Sequence, residues 1–357
     1  MVDPLNPRQG RVRDFLRLSL TPGWGPRRIR DGLEEHGSLE ALLSAAGRTR
    51  GALAPLAGVE AVLSVCRRSG VTPVAPDGSA YPGGFHHLPD PPPVTYHRGD
   101  PSVLSEPGVV IVGSRRATAY GRRAAAELAA RAARAGRVVV SGMALGIDGA
   151  AHRGALEGGG ITAAVLGSGP DRPSPGAHRG LAAELLHRGA LLSEHPPGTP
   201  PRAHHFPRRN RLLAALGDRV VVVEAAARSG ALITARLALE LGREVWAVPG
   251  SVFSPVSVGT HRLLEDGARP VTDLDDWSAS LAPRDPGNRR TRPAVPDLDD
   301  PATSRVWSLL EGEGLSLDAL LARAGLPAGR LLTTLSRLEL EGWIRRLPGP
   351  GFSRRAA

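Results

Sequence analysis

The residues best placed to do chemistry are small residues and arginines that recur directly after short apolar runs. Gly113, Ser114 and Arg115 follow Val109-Val110-Ile111-Val112. Ser141 and Gly142, then Gly146, Ile147 and Asp148, follow Val138-Val139-Val140. Gly167, Ser168 and Gly169 follow Ala163-Ala164-Val165-Leu166, and Ser229, Gly230 and Thr234 come after Val220-Val221-Val222-Val223. A small-residue turn between a strand and a helix leaves backbone N–H groups facing an anion, and an adjacent Arg adds a planar fork that fits phosphate. Residues 202–211 add four Arg and no acid, in the run His204-His205-Phe206-Pro207-Arg208-Arg209-Asn210-Arg211. This stretch is expected to be a basic loop that tracks phosphates, with Phe206 free to stack on a base. Its plainer reading is a solvated loop.

Catalytic arrangements find less support. Ser141, His152 and Asp148 could be drawn as a triad, but no G-x-S-x-G elbow surrounds the serine. Asp148 and Glu224 could pair as carboxylates, although Asp148 is more simply a helix cap near Gly149. Ser229 and Thr234 either touch phosphate or cap the helix from Ala231. His152, His195, His204 and His205 lack helical ligand spacing, and the single Cys66 gives them no support, so no metal site is read. The first turn is not G-x-G-x-x-G, and no ribose-binding acid closes the second strand, which argues against a dinucleotide cofactor. All 45 basic residues are Arg. Without Lys, a standard Walker A loop, a protein kinase and a Schiff-base enzyme are excluded.

These turns need a scaffold, and the apolar runs supply it. Continuous runs at 109–112, 138–140, 163–166, 190–192, 220–223 and 245–248, separated by Ala-rich helical stretches, predict a parallel sheet covered on both faces. The 357 residues exceed one ordinary domain. We read 1–70 as a small helical domain, 71–281 as a Rossmann-like α/β domain with 71–108 as an extended lead-in, 282–301 as a linker, and 302–357 as a winged-helix-like domain. The net charge of +10 is spread along the chain and favours anionic partners, nucleic acid first. Residues 1–14 have no apolar signal region, and no run approaches the ~18 apolar residues of a membrane span. A cytoplasmic, membrane-free protein is expected.

Taken together, the turns resemble the DNA-processing protein A family, also called DprA or Smf. The resemblance rests on six motifs in order: the V-G-S-R turn at Gly113–Arg115, Ser141 to Asp148, Phe206 to Arg211, Ser229 to Ala235, Ala247 to Gly250, and Gly259-Thr260 with Leu263 to Ala268. It implies a Rossmann-like domain that binds single-stranded DNA without catalysis or cofactor, protects it during natural transformation, and loads the recombinase RecA. It also implies a homodimer through the central domain. The nucleic-acid-binding residues would then be Gly113, Ser114, Arg115, Gly142, Phe206, Arg208, Arg209, Asn210, Arg211, Ser229, Gly230 and Thr234. Where relatives often use Lys in this pocket, this chain has only Arg, with Arg208 as a candidate substitute.

The flanks leave alternatives open. Residues 18–29 read as helix, Gly-x-Gly hairpin, helix, resembling SAM or helix-hairpin-helix domains, in either a phosphate-binding or a structural role. Residues 315–322 and 328–340 read as the second and third helices of a winged helix, and 342–352 as its wing; Glu339 and Glu341 tilt it toward protein contacts. Two rivals remain. One is a phosphoribohydrolase-like nucleotide N-glycoside hydrolase, although residues 228–234 depart from the P-G-G-x-G-T-x-x-E turn of such enzymes. The other is a double-stranded-DNA regulator acting through the winged helix.

Overall fold

The computed structural model describes residues 7–48, 53–281, 300–310, 315–340, 343–346 and 351–354. The chain parts into two compact units at Leu281/Ala282. The linker expected at 282–301 lies outside the described residues except for its last two.

The first unit opens with four helices, α1 (Pro7–Leu20), α2 (Pro26–His36), α3 (Leu39–Arg48) and α4 (Leu56–Arg68). The Gly-x-Gly hairpin forms between α1 and α2. Gly23 takes φ +81°, and Pro26 opens α2 where an N–H would have no helical partner. Leu16, Leu18, Ile29, Leu42 and Val59 pack into a core that also takes Val71, Val94 and Tyr96, so shared burial joins these helices to the sheet.

A nine-stranded sheet follows: β1 (Thr72–Val74), β2 (Thr95–Gly99), β3 (Gly108–Val112), β4 (Val139–Ser141), β5 (Thr162–Leu166), β6 (Ala190–Ser193), β7 (Gly217–Val222), β8 (Glu244–Ala247) and β9 (Arg269–Pro270). The spatial order is β1-β2-β6-β5-β4-β3-β7-β8-β9. From β6 to β9 all pairs are parallel, while β1 and β2 join as antiparallel edge strands. The connecting helices are α5 (Ala119–Arg134), α6 (Ile147–Glu157), α7 (Arg179–Leu185), α8 (His205–Leu216), α9 (Gly230–Glu240), α10 (Val258–Glu265) and α11 (Leu274–Leu281). Strand side chains alternate between faces. Val110, Val112, Val220 and Val222 meet α8 and α9. Val109, Ile111, Val221 and Val223 meet α5, α6 and α11. Burial on both faces explains the continuous apolar runs 109–112 and 220–223 in these strands.

Two expectations change, and one strand is added. The lead-in at 71–108 is not merely extended, because it contributes β1 and β2 to the sheet edge. Its strands escape the sequence pattern because β2 carries Thr95, His97 and Arg98, and its pairing is fixed by the distant β6. The edge strand β9 was also not foreseen. The basic stretch is not a loop: Phe206 to Arg211 lie in α8. Pro207 is the third residue of that helix, where the lost N–H would be unpaired in any case.

The second unit holds α12 (Pro301–Leu309), β10 (Leu315–Ser316), α13 (Leu317–Ala324), α14 (Ala328–Leu340), β11 (Ile344–Arg346) and β12 (Gly351–Arg354). The strands pair in the order β10-β12-β11, the small sheet of a winged helix. Val306, Leu310, Leu320, Leu331, Leu335 and Phe352 form its core.

Two fully buried histidines make the first unit acid-sensitive. His97 shares a hydrogen bond with Thr95 Oγ1 (2.9 Å), and His152 Nδ1 with Thr162 Oγ1 (2.7 Å). Burial pushes each ring down to about 3. An unfolded histidine titrates near ~6.5. Below that value the unfolded chain binds protons that the folded chain refuses until about pH 3, so stability present above ~6.5 is lost as pH falls through this window. At pH 5 the loss is on the order of 2 kcal/mol per histidine. Urea denaturation at pH 7.5 and pH 5 should show the lower midpoint at pH 5, and an unchanged midpoint would contradict this account.

Candidate nucleic-acid interface

The order of parallel strands reverses between β3 and β7, and open α/β sheets bind ligands in the crevice at such a switch point. Here the crevice has a volume of 970 Å³.

One wall is the turn after β3. Ser114 N–H donates to Glu224 O (2.7 Å), and Arg116 N–H donates to Ser114 Oγ (3.1 Å). Gly113 is required by close approach, because a Cβ there would lie 2.7 Å from Ile147 Cγ1 and 2.8 Å from Glu224 O. Behind this turn, the Glu224 carboxylate accepts from Thr118 N–H (2.9 Å) and from the Thr118 hydroxyl, while Thr118 Oγ1 caps α5 by accepting from Gly121 N–H (3.0 Å). Arg115 and Arg116 are exposed, and neither forms an ion pair among the described residues. The Arg115 guanidinium carbon sits 5.1 Å from the Phe206 ring centroid. This places a free cation over an aromatic face from the first turn of α8.

The floor is the turn after β4. Asp148 does not cap α6; its carboxylate accepts from Gly142 N–H and Ala144 N–H (3.2 Å each) and so holds the turn closed. Met143 adopts φ +62° within it, and its carbonyl accepts a hydrogen bond from His178 Nδ1 (2.9 Å). Arg209 reaches up from α8, and its Nη1 donates to Gly142 O (2.9 Å) and to Val165 O. One side chain thereby ties together the ends of β4 and β5. Burial pushes the Arg209 guanidinium down to about 10 and the Asp148 carboxyl up, each opposed by the charge of the other.

The far wall is the start of α9. Ser229 Oγ caps it by accepting from Ala231 N–H (3.3 Å), and Asn210 Nδ2 donates to Gly230 O (3.1 Å), bridging α8 to α9. Thr234 is buried below this turn at 1% exposure.

Of the residues expected from sequence, Gly113, Ser114, Arg115, Phe206, Arg209, Asn210, Ser229, Gly230 and Thr234 line the crevice. Gly142 lies just behind it, where a Cβ would come within 2.3 Å of Arg209 Nη1. Arg211 is engaged elsewhere, pairing with Asp90 (2.9 Å) and Glu194 (2.7 Å). Arg208 is exposed and stands 3.6 Å from Glu194. Of the four arginines in that stretch, Arg209 and Arg211 are buried and structural, Arg208 is a partnered surface arginine, and Arg202 is exposed without an ion pair among the described residues. Arg116, not singled out from sequence, and Asp148, read there as a helix cap, are both in the lining. The Arg115-Arg116 doublet was the signal for the first, but the second was hidden because its partners are backbone amides. Of the histidines weighed as metal ligands, His195 and His205 stack at 4.0 Å, with His204 edge-on to His205, while His152 is buried against Thr162.

A crevice with three guanidinium groups and one engaged carboxylate is built to hold an anion. It offers no unengaged carboxylate, among its described lining residues, for acid or base chemistry.

A family model described as DNA recombination-mediator protein A matches residues 73–282, and one described as the DprA winged helix domain matches residues 290–350. The chain is 40% identical over 280 residues to Protein Smf of Escherichia coli K12, covering 76% of this chain and 75% of that protein. It is 45% identical over 240 residues to a putative DNA processing protein DprA of Mycobacterium tuberculosis H37Rv, covering 65% of this chain and 60% of that protein. Among solved structures, DNA processing protein A from Streptococcus pneumoniae superposes with a TM-score of 0.64 at 31% identity, covering 75% of this chain and 96% of that one. The Helicobacter pylori protein, described for its single-stranded DNA binding mode, gives 0.54 at 32% identity, covering 59% and 95%.

Proposed function

The chain belongs to the DNA recombination-mediator protein A family, and on that premise we propose that its central crevice binds single-stranded DNA without catalysis. The observation that carries this reading is the unpaired Arg115 stacked on Phe206 beside the Ser114–Arg116 turn. Phosphates would sit against the guanidinium groups and turn amides, while an unpaired base meets the Phe206 face. Gly113, Ser114, Arg115, Phe206, Ser229 and Gly230 would touch the strand. Arg209, Asn210 and Gly142 would shape the crevice. In the same proposal the chain acts in the cytoplasm as a homodimer that protects incoming strands and passes them to the recombinase RecA.

The rivals fit less well. A nucleotide hydrolase needs a free carboxylate at the crevice, and the one there, Asp148, is held by two backbone amides. A duplex reader would use α14 in the major groove. Both arginines of that helix, Arg330 and Arg337, are turned onto Asp300 at 2.9 and 3.3 Å.

The test is a labelled short single strand titrated with the protein over a range of salt, in competition with the same sequence as a duplex. Single-strand binding should win, with log affinity falling by about 0.7 per contacted phosphate for each tenfold rise in salt. Preference for duplex, or release of base from nucleoside monophosphates, would favour one of the rivals.

A further inference from the structure

The chain has only five Phe, five Trp and three Tyr. Of these, two are strongly exposed, Tyr120 at 56% and Phe253 at 93%. Each lies on a segment adjoining residues that line the same crevice. Phe253 lies in the loop between β8 and α10, whose Pro255 and Val256 line the crevice. Tyr120 lies in the first turn of α5, just past the Arg115-Arg116 turn, and its hydroxyl donates to Pro249 O (2.9 Å), clasping the two loops together. A tight turn presents the Phe253 ring: Ser254 N–H donates to Ser251 O (3.0 Å) and Phe253 N–H to Ser251 Oγ (3.2 Å).

A held, almost fully exposed phenyl ring gains much from being covered. Beside a cationic groove, the cover that matches both its shape and its surroundings is the face of an unpaired base. Accepting the crevice as a single-strand site, we propose that Phe253 is a second base-stacking residue, which extends the platform begun at Phe206 onto the outer rim. Bases in a duplex already stack on one another, so this contact discriminates single strands from double strands. The Arg115–Arg116 turn supplies attraction to both.

The experiment compares wild type, Phe253→Ala and Phe253→Trp for binding of a short single strand and its duplex, each over a range of salt. Phe253→Ala should weaken single-strand binding about tenfold, the loss of one stacked base. The salt slope should not change, because no phosphate contact is lost, and duplex binding should not change either. Phe253→Trp should keep the affinity and show quenched emission when the strand binds. Wild-type affinity in Phe253→Ala overturns the proposal while leaving the crevice reading intact. So does a change in oligomeric state at unchanged strand affinity, which would assign the ring to a contact between copies of the chain. Absence of strand binding by wild type would overturn both.

Discussion

Arg209→Ala is expected to destabilise the first unit by about 3–5 kcal/mol, since each of its two hydrogen bonds comes from a charged donor worth ~1.5–3 kcal/mol and their buried acceptors are left unsatisfied. Arg209 is 3% exposed and Asp148 is 5% exposed. The substitution removes the donor to Gly142 O and Val165 O and leaves a buried carboxylate without its counter-charge. Arg209→Lys should recover only part of the loss, because an ammonium is more strongly hydrated and tolerates this burial less well than a guanidinium. Chemical denaturation measures this directly. A loss below about 1 kcal/mol, the range of an ordinary surface change, would mean that the side chain is a ligand group rather than part of the frame.

Arg115→Ala should do the reverse. The side chain is exposed and makes no ion pair among the described residues, so stability should stay within about 0.5 kcal/mol of wild type. Affinity for a short single strand should fall roughly 10- to 100-fold, the ~1.5–3 kcal/mol of a hydrogen bond to a charged group. The salt slope should drop by about 0.7, one phosphate's worth. Unchanged affinity would remove Arg115 from the site. The contrast between Arg115, exposed and without an ion pair, and Arg209, buried and bonded to two strand ends, is the main thing the structure adds to the sequence.

In sequence the two arginines look alike, and the reason lies in contact distance along the chain. What makes Arg209 structural is Gly142, Asp148 and Val165, and what occupies Arg211 is Asp90 and Glu194. None of these is a local neighbour, so a run of positive charge without a nearby acid reads as free. The strands were legible because burial on both faces makes β3, β5 and β7 apolar at successive positions, a pattern that survives without tertiary knowledge. The turns were legible because close approach forces glycine at Gly113, and a cap favours serine at Ser229. The strands β1 and β2 were not, since β2 joins the sheet through the distant β6 and β1 is held only by β2. The rim aromatics were not, because exposure of Tyr120 and Phe253 follows from how two loops meet and not from either loop alone.

The missing lysines also take on a sharper meaning. Every cation at the crevice is a guanidinium, either exposed and free, as at Arg115 and Arg116, or buried and bracing, as at Arg209. Guanidinium suits both tasks, since it grips phosphate with two parallel donors and tolerates burial better than ammonium.

The most direct measurement is a crystal structure of the full chain with a short oligothymidine. The account predicts a phosphate against the Ser114–Arg116 turn and the Arg115 guanidinium, a base on Phe206, and Arg209 still bonded to Gly142 O. A strand lying elsewhere with the crevice empty, or one gripped by Arg209 after it has left the strand ends, would contradict it.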